Sequence, residues 1–524
     1  MDYSCYKDFV MNRRIIKSLL AYFAVCSFGM ISASAEKKTP FETVVDQESG
    51  LSIPGHLRDK MYIGETGDGH HMAYVEYDAD ASKAVALDQL REGDISKIIY
   101  VNRCEGGCII RGGRNDARNN QSQIVQDTAS ISEFAFSDEV FNEAVECIRD
   151  VYAAYDVEVV TEDPGDAFHH EAILAGSPTE IGFPESVGGV GGSPGQCMAG
   201  DNTISFSFSN SSFSRGSAEA MCWTVAQESA HSFGLGSHTL SCHDPMTYNP
   251  GCDRKFFRNI NLACAEPEGL IGAFREIPQC RCGGNTRNNH VVMTSVFGRS
   301  DREIPPPTLD LIGPGDDDQV EDNFPIFAES QDRRGIYKVE LWLSGTKVET
   351  QEGNLDGPSD PNRRVDTLFS SGDWPDGYID VEVRSYNDLD VFSSKTVRVL
   401  KGEACTTSDS CLDGQACTDG GCRFPEATVP IAGSCSIDQN CLQGVCGTVD
   451  GESFCAETCV TSIEDSCPAG FDCVGTGFCA PKSGDDGGCR SAVSSSSGKS
   501  SRTGLLLLLA VFTLAFGWRS NRRA

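Results

Sequence analysis

Residues 224–238 read TVAQESAHSFGLGSH, and the spacing inside this stretch decides how the first half of the chain is read. On an α-helix, positions i and i+4 share a face, so Gln227 and His231 point side by side. Glu228 lies at the edge of that face, where it can polarise a water held by an ion. Gly234 stands seven residues after Gln227, and a glycine there ends a helix by taking positive φ and turning the chain back. His238 follows on the returning segment and can join His231 on one ion. Three protein ligands and one open position for water are what a catalytic zinc needs.

Working outward, AEAMCWTVAQESAHSFGL (218–235) reads as one helix. An earlier helix is expected over 140–155, where Val140, Phe141, Ala144, Val145, Ile148, Val151 and Tyr152 fall on one face. Strands are expected over 156–163, 170–176 and 202–210. GFPESVGGVGGSPG (182–195) reads as a glycine-rich loop, and it lacks the lysine of a phosphate-binding loop. Downstream, CHDPMTYNPGC (242–252) places Met246 fifteen residues after His231 and Tyr248 two further on.

Helix motif, glycine, Met and Tyr together resemble the metzincin branch of zinc metalloproteases, whose pattern is H-E-x-x-H-x-x-G-x-x-H followed by a Met-turn. The close resemblance covers residues 220–250. It implies zinc held by His231 and His238, Glu228 as general base and acid, Met246 in a tight turn beneath the metal, and Tyr248 as a stabiliser of the transition state. Two departures stand out. Gln227 occupies the place of the first His and offers only an amide oxygen, a weaker zinc ligand. Ser237 occupies the place of the last His, which arrives one residue late as His238, with His243 as a further candidate in the same loop. The implied activity is a zinc-dependent endopeptidase acting on protein or peptide substrates. The alternative is a catalytically inactive metalloprotease-like surface protein used for adhesion or recognition.

The remaining histidines and cysteines have plainer readings. His70-His71 and His169-His170 are adjacent pairs whose members face opposite ways on a strand, so structural roles are expected. Of 25 cysteines, ten fall between Cys104 and Cys282 and twelve between Cys405 and Cys479, and two even sets in an exported chain read as disulfide frameworks. Cys104 and Cys108 are expected to pair. Cys222 with Cys242 and Cys252 would staple the motif helix to the Met-turn.

Export is expected from the N-terminus: MNRRIIK (11–17) is basic, Ser18 to Ile31 is apolar, and Ala33-Ser34-Ala35 fits a cleavage site. At the other end, Gly487-Gly488-Cys489, a Ser-rich spacer, an apolar segment (504–518) and Arg519, Arg522 and Arg523 resemble the MYXO-CTERM sorting tails of myxobacterial surface proteins. The resemblance implies export and sorting machinery as partners, processing at Cys489 and anchoring in a membrane, with the bulk of the chain outside. A net charge of −33 and a pI of about 4.6 offer no basic surface for nucleic acid.

The fold class expected is therefore multidomain. A signal peptide (1–35) precedes a metzincin-like α/β (α+β) catalytic domain (36–300), whose first part, 36–100, is a candidate pro-region. Period-2 strands over 338–350, 378–388 and 393–402 then indicate an all-β Ig/fibronectin-like sandwich (301–403). Asp316-Asp317-Asp318 could bind calcium there, although a solvated acidic loop is the simpler reading. A disulfide-rich module (404–482) with little apolar content and the sorting tail (483–524) complete the chain.

Overall fold

The computed structural model describes residues 42–481, apart from 47–49, 67–68, 78–83, 196, 250–251, 253–254, 268–270, 273, 353–361, 371–373, 443–444, 450, 458, 460–466, 468–470 and 475–477. The expected signal peptide (1–35), Cys489 and the apolar segment 504–518 lie outside the described residues. No helix among the described residues is long and apolar enough to cross a membrane. The described chain is rich in β-sheet, with few helices and ten disulfides. That many bridges suit an oxidising, extracytoplasmic compartment.

Residues up to Pro425 form one compact unit. Its first half is built on an eight-stranded mixed sheet. The strands used below are β1 (Met61–Glu65), β2 (His71–Glu76), β3 (Ile98–Asn102), β4 (Glu158–Val160), β5 (His170–Leu174), β6 (Val187–Ser193) and β7 (Ile204–Ser207), with β8 (Ile271–Gly272) at one edge. Their order is β4-β3-β5-β7-β6-β2-β1-β8. The pairs β4/β3, β3/β5 and β5/β7 are parallel, β7/β6 is antiparallel, and β6/β2 is parallel again.

Two helices cover one face, α1 (Asp138–Val151) and α2 (Ala218–Ser232). Each starts where a serine, Ser137 or Ser217, caps a free amide of the first turn. The apolar stripe of α1, from Phe141 through Ala144, Val145 and Ile148, packs with Met221, Val225 and Ala226 of α2. Period-2 alternation then sorts the sheet: Ala172 and Leu174 of β5 face the helices, while Ile173 faces a second core with Val187, Val190 and Phe206. Cys147 bonds Cys222, so the helices are tied to each other.

Two expectations are corrected here. Within the glycine-rich stretch 182–195 expected as a loop, residues 187–193 form strand β6, buried along its whole length. It is glycine-rich because the strand lies directly on α2: a Cβ on Gly191 would come within 2.4 Å of the Glu228 carbonyl oxygen. The staple from Cys222 to the Met-turn is absent, because Cys222 is used by Cys147 and Cys242 bonds Cys252. Cys104 does pair with Cys108, and Cys264 with Cys280.

The second half of this unit is a β-sandwich. Its sheets hold Thr308–Gly313, Asn323–Gln331 and Asn362–Ser370 on one side, and Gln319–Val320, Phe392–Lys401, Gly377–Tyr386, Lys338–Leu343 and Thr346–Glu352 on the other. Leu309, Phe324, Ile326 and Ala328 meet Val339, Leu341, Ile379, Val381 and Val383 across the middle. In the acidic run, Asp316 accepts from Arg398 N at 2.9 Å and Asp318 from Gly315 N at 2.7 Å.

The twelve C-terminal cysteines pair first-with-third and second-with-fourth in each of three repeats: Cys405–Cys417 and Cys411–Cys422, Cys435–Cys446 and Cys441–Cys455, Cys459–Cys473 and Cys467–Cys479. The first repeat belongs with the sandwich, and Arg423 pairs with Asp380. Glu426 onward forms a separate unit of short disulfide-linked hairpins.

Candidate functional site

Helix α2 delivers Gln227, Glu228 and His231 into the interior, where they are 4 %, 0 % and 0 % exposed. The helix ends at Phe233, and Gly234 takes φ +91°, the positive value expected of it. Leu235 then offers its carbonyl to His231 Nδ1 at 2.9 Å. A carbonyl only accepts, so the proton sits on Nδ1 and Nε2 keeps its lone pair. Burial, reinforced by His238, holds the His231 ring well below its ordinary pKa, in the neutral form a metal ligand needs.

The returning chain forms a short strand, His238–Thr239, paired with Leu262–Pro267. His238 faces His231, with ring centroids 4.9 Å apart. Its backbone N–H donates to Glu266 at 3.3 Å, and its Nδ1 lies 3.5 Å from the other Glu266 oxygen. A carboxylate behind a histidine orients the ring and raises its donor strength. Burial raises the Glu266 carboxyl, but His238 and Arg281 outweigh this and hold it below its usual value. Thr239 N donates to Met246 O at 2.7 Å, so the turn at 243–248 is strapped to this strand. Met246 lies fully buried, and the Tyr248 ring lies tilted against His238, centroids 4.3 Å apart.

Expected residues Gln227, Glu228, His231, His238, Met246 and Tyr248 are all 0–4 % exposed, and the three ring systems form one cluster. His243 is apart from it: its Nε2 faces Cys252 Sγ at 3.4 Å. Ser237 accepts from Arg281 N at 2.8 Å. His70, His71 and His170 bond serine or threonine hydroxyls, His170 reaching both Thr203 and Ser205.

Several polar atoms in the cluster are buried without a hydrogen-bond partner: Gln227 Nε2, both Glu228 carboxylate oxygens, His231 Nε2, both ring nitrogens of His238 and the Tyr248 hydroxyl. An unpaired buried polar atom costs about 1–3 kcal/mol, so a cluster of them signals a missing partner. Burial pushes the Glu228 carboxyl well above its ordinary value, opposed only by the Gly191 N–H. Tyr248 is pushed up by burial and by the nearby Glu228 and Glu266.

Beyond Glu266, four more residues escape the spacing argument. Tyr74, from β2, stacks on His231 at 4.6 Å, lies 5.5 Å from His238 and donates to Glu266 at 3.4 Å. Arg281 sits over the Tyr74 ring and bonds both Glu266 and Glu76. Gly64, on β1, leaves room for the Tyr248 ring, which a Cβ there would meet at 2.0 Å. Phe274 closes the far side, 4.9 Å from Tyr248. No local motif marks these residues, since each reaches the site across the fold.

Separately, four groups among the described residues could hold a metal ion: Cys242, His243 and Cys252; Cys405, Cys411 and Cys422; Cys435, Cys441 and Cys446; Cys459, Cys467 and Cys473. Every cysteine in these groups is disulfide-bonded, which leaves no thiolate in the donor set.

No protein-family model matches the chain, and neither does any curated protein. Partial likenesses exist among solved structures. The fibronectin(III)-like modules of Clostridium thermocellum CbhA are 12 % identical over 18 % of this chain and 94 % of that one, with a TM-score of 0.15. The endo-β-1,4-mannanase of Thermotoga petrophila is 14 % identical, covering 22 % of this chain and 23 % of that one, with a TM-score of 0.15. Likenesses this slight bear on neither the fold nor the site.

Proposed function

We propose that the upstream half of the chain is a metzincin-like zinc endopeptidase, exported and held at the cell surface. The observation that carries this reading is the set of unpartnered buried donors around His231 and His238. Both imidazole Nε2 atoms are free; the His231 ring is held from behind by the Leu235 carbonyl, and the Glu266 carboxylate lies 3.5 Å behind His238 Nδ1. That is the donor chemistry and outer support of a zinc site. Gln227 would supply a weak or water-mediated third ligand through its amide oxygen.

Zinc, when bound, would acidify a water and polarise a peptide carbonyl. Glu228 would take the proton from the attacking water and return it to the leaving amine. A desolvated carboxyl opposed only by the Gly191 N–H would be able to shuttle that proton. The Tyr248 hydroxyl would donate to the oxygen on which negative charge develops. Met246 is fully buried in the apolar core that α1 and α2 share and would underlie the site. The segment at 504–518 and Cys489 would supply the surface anchor.

A noncatalytic surface recognition protein is the second reading, and one observation favours it. Tyr74, Phe274 and the Arg281 bridges cover the cluster, leaving all six expected residues almost fully buried. Peptidase assays on the purified full chain separate the two. Cleavage that disappears in Glu228→Ala while zinc content is kept supports the enzyme. Bound zinc without cleavage favours recognition, and a folded chain that takes up no zinc overturns the metal site itself.

A further inference from the structure

The turn that carries Met246 and Tyr248 is held from below by a chain of buried polar groups that ends in the β-sandwich. Asp244 Oδ1 accepts from Met246 N and from Asn289 Nδ2, each at 2.9 Å. Its Oδ2 accepts from Arg258 N at 3.0 Å, and Arg258 Nε donates to His243 O at 3.1 Å. The Arg258 guanidinium also meets the sandwich, donating to Arg334 O and lying 3.8 Å from Asp388 Oδ1. Asp388 sits between the strands Gly377–Tyr386 and Phe392–Lys401 and takes Arg334 in a two-pronged pair at 2.7 and 3.0 Å. It also accepts from Asn259 N at 3.1 Å, and Arg334 donates to Phe257 O at 3.0 Å.

Arg258, Arg334 and Asp388 are 2 %, 6 % and 2 % exposed. Burying three charges is costly, and similar apolar side chains would often hold two domains together as well or better. What the charged network adds is direction. Each member fixes a backbone group of the 243–259 segment as well as another side chain, and only Arg258 and Asp244 stand between Asp388 and the amide of Met246.

We propose that Asp388 is a positioning residue for the candidate site, acting through Arg258 and Asp244 to set the Met246–Tyr248 turn, so that the sandwich is part of the site's scaffold. The site role rests on the metal-binding reading above; the strapping of the turn does not. Arg258 is the relay: its backbone serves Asp244 and its side chain serves both His243 O and Asp388.

The test uses the full chain with Asp388→Asn, which keeps size and an acceptor oxygen but removes the charge. Asp390→Asn, at an exposed position of the same connection, is the control. Amide exchange should accelerate about tenfold or more at Thr239 and Met246, while Val381 and Val383 in the sandwich and Ile148 in α1 keep their protection. Zinc affinity, read by competition with a chromogenic chelator, should weaken about tenfold in the same variant. Arg258→Lys, which keeps the charge but loses the bond to His243 O, should show the same local pattern should Asp388→Asn prove unstable. Unchanged exchange at Thr239 and Met246 overturns the proposal. So does uniform acceleration or loss of the whole fold in both variants, since the network would then be a general clamp. A wild-type chain that takes up no zinc would defeat the metal reading, and the exchange pattern would still decide the strapping.

Discussion

Replacing Gly191 by alanine should damage this protein more than its small size suggests. A Cβ at Gly191 would lie 2.4 Å from the Glu228 carbonyl oxygen and 2.8 Å from its side-chain Oε2. Ordinary contacts begin near 3.4 Å, so strand β6 and helix α2 must separate by about 1 Å, and neither backbone can yield locally. Overpacking of this kind costs about 1–3 kcal/mol and occasionally more, and a backbone clash belongs at the upper end. Gly189→Ala is different, because its three nearest atoms are all side-chain atoms: Thr224 Cγ2 at 2.6 Å, Glu228 Cγ at 2.8 Å and Glu228 Oε1 at 3.0 Å. Its cost should be nearer 1–2 kcal/mol. Adding Glu228→Ala should recover about 1 kcal/mol of the Gly189→Ala loss but leave most of the Gly191→Ala loss, a contrast a double-mutant cycle reads directly. Urea denaturation of the full chain is the assay. Gly236→Ala serves as the control, since its nearest neighbour is Arg281 Cδ at 3.8 Å, and it should stay within about 0.5 kcal/mol of wild type. If Gly191→Ala is tolerated as well as Gly236→Ala, the strand does not lie on the helix at Glu228 and the burial of that carboxyl has another cause.

Removing the bridge between the helices with Cys147→Ala and Cys222→Ala frees a separation of 75 residues, for which loop entropy gives about 4 kcal/mol. Removing Cys104–Cys108, with a separation of 4, should cost about half as much in the same denaturation series. Cys197 and Cys282 carry free thiols here, yet they interact directly with each other beside Arg287. Disulfide mapping of the exported protein should find them bonded, and two titratable thiols would refute this. Burial raises Asp388, but Arg334 and Arg258 hold it down at about 2. Against an unfolded value of about 3.9, it stabilises the fold above pH 4 and loses that contribution, about 2–3 kcal/mol, as pH falls toward 2. Asp388→Asn should remove this part of the acid transition, and an unchanged pH profile would speak against the pairing.

What could be read from the chain followed the range of the interaction. Helices α1 and α2, with Gly234 at the end of the second, were legible because apolar spacing and a turn glycine are local signals. The sandwich strands were legible from their alternation, as in Tyr378 to Tyr386. VGGVGGS (187–193) was not: with no side chains to alternate, a buried strand looks like a loop, and only the helix beneath it explains the glycines. Tyr74 and Glu266 were invisible because each reaches the histidines through strand pairing across the fold. Likewise the change to period-2 strands after residue 300 suggested a separate domain, while Arg334 and Asp388 within it close onto Arg258 in a compact unit. Disulfide partners had the same difficulty, and Cys222 pairs with Cys147 where a nearer partner was expected.

The most direct test is the metal content of the purified full chain, measured by elemental analysis for wild type, His231→Ala and His238→Ala, with Gln227→His alongside. About one zinc per chain is expected in wild type, loss in each histidine variant, and tighter retention in Gln227→His. A folded wild-type chain without zinc, or zinc retained in both histidine variants, would contradict the account.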